Sequence, residues 1–127
     1  SAVSDGNCQR VSMRNFVLVH VRNGLVESDV VATVSDVLKD ASIQVVTTVE
    51  AACEMLQRFD GWAWAVLDLE DDELKRDDLR QALERNRALP VVLHEPLNDP
   101  EVEDWVFLDP PFNTEMLRAA LRRTAPY

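Results

Sequence analysis

The sequence predicts an α/β domain built on a parallel β-sheet of five strands, with helices on both faces. Short apolar runs alternate along the chain with segments whose apolar residues recur at helical spacing. Parallel strands that are covered on both faces appear as continuous apolar runs, and right-handed crossover helices supply that cover. With 127 residues, 46% of them hydrophobic, the chain has the size of one domain and can build a sizeable core.

The first strand is predicted over residues 16–21, an apolar run that ends at the turn signals Asn23 and Gly24. A helix follows, and Ser28 is placed to cap its first turn. Apolar residues recur along this helix at spacings of one, three and four, namely at Val30, Val31, Val34, Val37, Leu38 and Ala41.

The second strand is predicted over residues 43–47, where β-branched residues predominate. Thr47 and Glu50 form a T-x-x-E capping box that predicts the start of a second helix. Its inward stripe includes Cys53, which we expect to pack as a small hydrophobe. The other members of the stripe are Val49, Ala52, Leu56 and Phe59.

The third strand is predicted over residues 64–69, and strand alternation places Trp62 and Trp64 on one face as core residues. An acidic stretch at residues 70–73 follows. A third helix carries Leu79, Ala82 and Leu83. The fourth strand, residues 89–93, has a proline near its start, where a missing N–H donor is tolerated.

The fourth helical segment is predicted to be short, because residues 96–104 allow only one or two turns. The fifth strand covers residues 105–108. Asn113 then caps a last helix. The inward residues of this helix are Met116, Leu117, Ala120 and Leu121, and Arg118, Arg122 and Arg123 lie near its negative end.

Composition excludes several classes of function. The formal charge of −10 repels nucleic acid and anionic membranes, and the apolar runs are far shorter than the roughly 20 residues of a membrane-spanning helix. No secretory signal pattern is present, so we expect a cytoplasmic protein. Cys8 and Cys53 belong to no closely spaced metal or redox motif. Residues 1–14 are expected to form a loose leader before a single domain over residues 15–125.

The order of these elements resembles the receiver (CheY-like) domain of two-component response regulators over residues 15–124. The resemblance rests on three strings: Val-Leu-Asp-Leu at residues 66–69, Leu-Pro-Val-Val at 89–92, and Asp-Pro-Pro-Phe at 109–112. It implies a three-layer, doubly wound, flavodoxin-like fold with strand order 2-1-3-4-5 and a shortened fourth helix. It also implies that Asp68 occupies the phosphoacceptor position of receivers.

The resemblance implies a degenerate phosphorylation site. Receivers hold Mg²⁺ with the acceptor carboxylate and two acids after the first strand. Here those positions fall among His20, Val21 and Arg22. An arginine near Asp68 could supply positive charge instead. Glu27 or Asp29 could reach back into the site if the loop before the first helix is longer than usual.

The remaining receiver positions also depart from the pattern. The Ser or Thr that ends the fourth strand of receivers is replaced by Glu95, or by His94 if the strand is one residue shorter. The lysine that ends the fifth strand is replaced by Asp109. The bond between Asp109 and Pro110 is expected to be cis, because the equivalent Lys-Pro bond of receivers is.

Three further features each admit a functional and a structural interpretation. The acids at residues 70–73 could hold a cation with Asp68, although a solvated surface is the more usual role and we expect no metal. His20 and His94 could form a pH-sensitive pair or simply be hydrogen-bonded structure. Trp105 and Phe107, beside the shortened helix, form the expected surface for a partner.

These features favour a non-enzymatic signalling domain, a pseudo-receiver, that acts by protein–protein interaction and needs no cofactor. The expected partner is a signalling protein or an output domain of the same protein, and a homodimer is compatible with the sequence. The first alternative is an active receiver in which a histidine kinase phosphorylates Asp68 with Mg²⁺. A small flavodoxin-like enzyme is the second alternative, but the sequence has no glycine-rich phosphate loop, nucleophile elbow or metal-ligand cluster.

Overall fold

The structure is a computed structural model that describes residues 15–125. The predicted leader and Cys8 lie outside the described residues. Within these residues the strands are β1 (Phe16–His20), β2 (Ser42–Val45), β3 (Trp62–Leu67), β4 (Leu89–Val92) and β5 (Val106–Phe107). The α-helices of the same range are α1 (Gly24–Val37), α2 (Val49–Arg58), α3 (Asp71–Leu74), α4 (Asp77–Arg85) and α5 (Thr114–Arg123), and a 3₁₀ turn covers Pro100–Val102.

All five strands are parallel, in the order β2-β1-β3-β4-β5, which confirms the predicted sheet. One face packs against α1 and α5 through Val30, Val34, Leu117 and Leu121. The other face packs against α2, α3 and α4, whose buried residues include Leu56, Leu74, Leu79 and Leu83. The molecule therefore has three layers, as a doubly wound sheet requires. Within residues 15–125, no helix is long and apolar enough to cross a membrane.

The first helix begins at Gly24, four residues before Ser28, which was predicted to cap it. Asn23 is the N-cap, and its Oδ1 accepts hydrogen bonds from the N–H groups of Leu25 and Val26 at 2.9 and 3.3 Å. Asparagine is a strong N-cap, and its backbone is extended here, so the helix starts directly after β1. The loop that would have let Glu27 reach back is absent, because Glu27 lies in the first turn of α1.

The second helix is displaced by one residue from its prediction. Thr48, not Thr47, is the N-cap, and its Oγ1 accepts from the N–H of Ala51 at 3.0 Å. Adjacent threonines have the same capping chemistry, so the sequence alone did not distinguish them. Phe59, expected on the inward stripe, is the C-cap and is 38% exposed.

The prediction that Trp62 and Trp64 share a face is wrong. Phe16 pairs with Trp62, whereas its neighbour Val17 pairs with Trp64, so Ala63 is an extra residue in β3. Such an irregularity shifts the alternation by one position. Trp62 therefore packs beneath α2, and Trp64 packs on the face covered by α1 and α5. Both remain core residues, as predicted.

The last third of the chain follows the prediction with two corrections. The crossover between β4 and β5 contains only one 3₁₀ turn, and Asn113 caps α5 through the N–H of Met116 at 2.9 Å, both as predicted. The cis bond joins Pro110 and Pro111, not Asp109 and Pro110. Met116 is 39% exposed instead of inward. It lies in the first turn of α5, and the buried stripe begins at Leu117.

Candidate functional site at the carboxyl edge of the sheet

Asp68 directly follows β3 at the edge where the parallel strands end. Its N–H donates to the carbonyl of His20 at 2.8 Å, so β1 and β3 hold this position firmly. The side chain is about one quarter exposed, at 24%. Clefts at the carboxyl ends of strands are where doubly wound sheets usually bind ligands. Asp68 therefore lies at the edge of the sheet where such ligand sites form.

Arg22 binds the carboxylate of Asp68 directly. Its Nη2 donates to Oδ1 at 2.9 Å, its Nε lies 3.4 Å from Oδ2, and its backbone N–H lies 3.3 Å from Oδ2. Nη1 also pairs with Oε2 of Glu70 at 3.1 Å. The hydrogen bond to Asp68 raises the pKa of the Arg22 guanidinium, although partial burial opposes this. One guanidinium thus pairs with two carboxylates and bonds both oxygens of Asp68.

The two positions before Arg22 do not contribute to this cluster. His20 is 3% exposed, and its Nδ1 lies 3.4 Å from the carbonyl of Val46. Val21 is 6% exposed and has no polar side-chain atom. Mg²⁺ prefers oxygen ligands in octahedral geometry. The residues present therefore do not fit the metal site of receivers, since Asp68 is paired with Arg22 and neither His20 nor Val21 offers a carboxylate.

The acidic stretch has structural partners. Glu70 and Glu73 form a capping box at the start of α3, in which Glu73 Oε1 accepts from the N–H of Glu70 at 2.8 Å. Asp71 pairs with His94. Across the part of the chain that the structure describes, no group of three or more acids, histidines or cysteines could hold a metal ion.

His94 forms a clasp between the end of β4 and the start of α3. Its Nε2 lies 2.6 Å from Oδ1 of Asp71, and its Nδ1 lies 2.7 Å from the carbonyl of Glu95. Both partners accept hydrogen bonds, so only the protonated imidazolium can donate to both. Burial lowers the pKa of His94, but the bonds to Glu95 and Asp71 outweigh it and raise the pKa overall.

The hypothesis of a His20–His94 pair is wrong. β3 lies between β1 and β4 in the sheet, and each histidine has its own partner. The predicted strand order 2-1-3-4-5, which the structure confirms, already places β1 and β4 apart. The signal that could have identified the real partner of His94 was Asp71, an acid at the same edge after the neighbouring strand.

Glu95, Asp109 and Pro110 are exposed at this edge. Within residues 15–125, no hydrogen bond or ion pair joins the side chains of Glu95 or Asp109 to Asp68. The charged cluster around Asp68 consists of Arg22, Asp68 and Glu70. Glu70 was considered for a metal site, but its ion pair with Arg22 was missed.

Trp105 and Phe107 are half-buried instead of forming an exposed anchor. Their rings stack with centroids 6.4 Å apart and pack against the core beneath α4. The guanidinium of Arg80 lies over Trp105, 5.9 Å from the ring centroid. The short crossover lets both side chains fold back onto the core, which explains the difference. The described large hydrophobic residues that are most exposed are Leu25, Val45, Phe59 and Met116.

Comparison with known proteins adds to this geometry. No protein-family model and no curated protein matches the sequence. Among solved structures, a response regulator receiver protein from Sinorhizobium medicae has a TM-score of 0.67 and 20% identity, covering 89% of this chain and 97% of its own. The signal receiver domain of a response regulator from Bermanella marisrubri has a TM-score of 0.61 and 17% identity, covering 86% and 96%.

A third solved structure is the signal receiver domain of an HD domain-containing protein from Pseudomonas fluorescens. Its TM-score is 0.57 with 10% identity, and the match covers 87% of this chain and 94% of that one. At these identities the likeness concerns the fold. The order of the strands, the position of Asp68 after β3 and these three structures agree that the chain has the flavodoxin-like fold of CheY-like receiver domains.

Proposed function

We propose that this chain is a signalling domain that acts by binding another protein, without Mg²⁺-dependent phosphorylation of Asp68. The observation that carries the proposal is the contact between Arg22 and Asp68. Receiver phosphorylation, as the resemblance implies it, needs an acceptor carboxylate that shares a metal ion with neighbouring acids. Here a side-chain cation takes the place of that ion and bonds both oxygens of the acceptor.

Charge supports the same proposal. A phosphoryl group is an anion, and it would enter an edge that carries Glu70, Glu95 and Asp109 besides Asp68. In receivers a lysine at the end of the fifth strand offsets this charge. Lys39 and Lys75 are the chain's lysines, and neither follows β5. Arg22 offsets part of this charge, and its guanidinium is already shared between Asp68 and Glu70.

The wider role follows from the fold and the proposed mechanism. The solved structures that the chain resembles are named as response regulator receivers or signal receiver domains. We infer a non-enzymatic cytoplasmic domain that takes no cofactor and whose partner is a signalling protein or an output domain. Fold alone does not determine function, so the proposal depends on the cluster of Arg22, Asp68 and Glu70.

An amide-resolved NMR titration tests the proposal. Wild-type protein is titrated with Mg²⁺ and then with beryllofluoride, a mimic of the phosphoryl group, while the amide signals of Asp68 and Leu69 are followed. We expect no saturable shift at these amides. Saturable shifts that disappear in Asp68→Asn would overturn the proposal and make the chain an active receiver.

Arg22→Asp is the positive control for that titration. It replaces the internal cation by a carboxylate beside Asp68, which creates a pair of acids for Mg²⁺. We expect saturable Mg²⁺-dependent shifts at Asp68 in this variant and none in wild type. Equal responses of both proteins would contradict the role assigned to Arg22.

A further inference from the structure

The crossover between β4 and β5 leaves a groove on one face of the molecule. The other crossovers carry helices of 14, 10 and 9 residues, in α1, α2 and α4. This one carries a 3₁₀ turn of three residues. The flank of α4 that faces this crossover is therefore not covered by a neighbouring helix. A groove of about 540 Å³ lies between α4, the start of β4 and the 3₁₀ segment.

The groove has an apolar floor and a charged rim. Leu83, Ala88 and Pro90 are buried at its base, and the half-buried ring of Trp105 forms one side. The exposed rim carries Glu84, Arg87, Glu101 and Asp104. An apolar centre with an aromatic residue, surrounded by polar groups, is the usual anatomy of a protein-binding surface. The volume is large enough for an inserted side chain with its backbone.

Arg80 shapes the groove but adds little positive charge to its surface. Its Nη2 and Nη1 pair with Asp99 and Glu101 at 3.1 and 2.9 Å, and its Nε donates to the carbonyl of Leu74 at 2.8 Å. The side chain is only 15% exposed. Its donors are therefore engaged by Asp99, Glu101 and the carbonyl of Leu74, and its guanidinium supports the ring of Trp105 from one side.

The rim is acidic overall. Three carboxylates, those of Glu84, Glu101 and Asp104, line the groove together with two guanidinium groups. Asp99, the second partner of Arg80, adds a fourth carboxylate at the same place. Opposite charge on a partner is attracted to such a rim and like charge is repelled. The groove is thus complementary to an apolar group that has basic neighbours.

We propose that this groove binds a basic segment of another protein, which inserts one apolar side chain beside Trp105. A second copy of this chain is a poor occupant, because each copy carries a net charge of −10. The inference deepens the proposed function, on which it rests, by naming the surface and the chemistry of the partner. Its site is on α4 and the 3₁₀ segment, away from Asp68, so the two can be tested separately.

A panel of synthetic peptides tests the inference. Nine-residue peptides with a central Leu, Phe or Trp flanked by Lys and Arg are compared with peptides of the same anchors flanked by Glu. We expect the basic peptides to cause saturable shifts in the NMR signals of the Leu89 amide and of the Trp105 indole N–H. The acidic peptides should bind at least about tenfold more weakly, and added salt should weaken the basic ones.

Charge-reversal variants locate the binding. Glu84→Lys and Asp104→Lys should each lower the affinity for the tightest-binding basic peptide about five- to tenfold, because each change removes an attractive charge and adds a repulsive one. Glu54→Lys is the matched control, since Glu54 is an exposed helical glutamate on α2 and the change in net charge is the same. Its affinity should stay within about twofold of wild type.

Three outcomes would overturn the inference: no basic peptide binds, the shifts lie outside the groove, or Glu54→Lys weakens binding as much as Glu84→Lys does. The beryllofluoride titration keeps this failure separate from failure of the proposed function. If the peptides bind in the groove and beryllofluoride also shifts the signal of Asp68, the inference about the groove stands and the proposed function is wrong. If neither beryllofluoride nor any peptide causes a saturable shift, Asp68 is unreactive as proposed and the inference about the groove is wrong.

Discussion

Arg22 acts as an internal cation for two carboxylates at the edge of the sheet. Its side chain is 47% exposed, so water screens the ion pairs with Asp68 and Glu70. The contact therefore contributes little folding energy, and the role proposed for it is to offset the charge of Asp68. A residue-scale change at Arg22 should therefore alter ion binding more than stability.

Arg22→Ala should increase the affinity for Mg²⁺ while leaving the fold intact. The substitution releases both carboxylates and removes the cation that competes for them. We expect the free energy of unfolding to fall by no more than about 1 kcal/mol. Isothermal titration with MgCl₂ and urea denaturation measure the two effects. A variant that binds Mg²⁺ no better than wild type would show that Arg22 does not occupy the cation position.

His94 should make stability depend on pH. Its pKa is raised in the folded protein by the bonds to Glu95 and Asp71, which outweigh burial. A raised folded pKa stabilises the protein fully below the unfolded value of 6.5 and loses this effect as pH rises through the folded value. His94→Gln should thus cost more stability at pH 5.5 than at pH 8.5. Urea denaturation at both values measures this, and an equal cost would contradict the clasp.

Asp71→Asn is the matched control for the clasp, because it removes one carboxylate but keeps the imidazole. We expect it to reduce the pH dependence without abolishing it, since the bond from His94 to the carbonyl of Glu95 remains. If Asp71→Asn abolished the pH dependence of stability completely, the ion pair of His94 with Asp71 would account for the whole effect.

At the scale of elements, the starts of α1, α2 and α5 are each set by a single capping side chain. Asn23, Thr48 and Asn113 each accept hydrogen bonds from N–H groups that would otherwise lack partners in the first turn. The positions of these caps also determine which loops reach the functional edge. Asn23, for example, ends the loop immediately after Arg22.

Asn113→Ala should lower the free energy of unfolding by about 1 kcal/mol, the usual cost of losing an N-cap. The lost bond is the one from the N–H of Met116 to Asn113 Oδ1, 2.9 Å long. Urea denaturation measures the change through its midpoint, with an unchanged slope. Asn98→Ala, in the exposed loop before the 3₁₀ turn, is the control and should be nearly neutral. Equal losses in both variants would argue against the cap.

At the scale of the whole molecule, two apolar layers carry the stability and leave the edge free for function. The sheet separates a core beneath α2, α3 and α4 from a core beneath α1 and α5. Trp62 and Trp64 each fill one of these cores, and their indole N–H groups donate to the carbonyl of Phe59 and to Oγ1 of Thr124, at 2.8 and 2.9 Å. Burial of such large side chains is therefore not opposed by an unpaired donor.

Leu56→Ala should destabilise the molecule by about 2 to 5 kcal/mol, because it removes a fully buried side chain and leaves a cavity. Leu25→Ala is the matched control. Leu25 is 81% exposed, so the same deletion should change the free energy of unfolding by less than about 0.5 kcal/mol. Thermal or urea denaturation compares the two, and similar losses would contradict the assigned burial.

Much of the fold was predictable because burial leaves a strong pattern in the sequence. Residues 16–20 and 62–67 are almost continuously apolar, and both lie in the middle of the sheet. The caps were less predictable, since Thr47 and Thr48 are chemically alike and Asn23 was counted as a turn residue. The extra residue at Ala63 left no local signal, because it depends on how β3 pairs with β1.

The functional edge was predictable as a place but not as a set of contacts. The position of Asp68 after an apolar strand, and an arginine two residues after another, indicated that the two side chains are neighbours. The sharing of Arg22 with Glu70, the clasp of His94 with Asp71, and the groove beside Trp105 required three-dimensional distances. Long side chains choose among several partners at one edge, and sequence spacing does not rank those partners.

The sequence by itself determined the alternation of strands and helices, the shortened crossover and the acidic charge, because these depend on residue type and local period. The tertiary structure decided which face each tryptophan occupies and which partner each charged side chain selects. Those outcomes depend on pairing between strands that are distant in the chain, where a shift of one residue reverses a face.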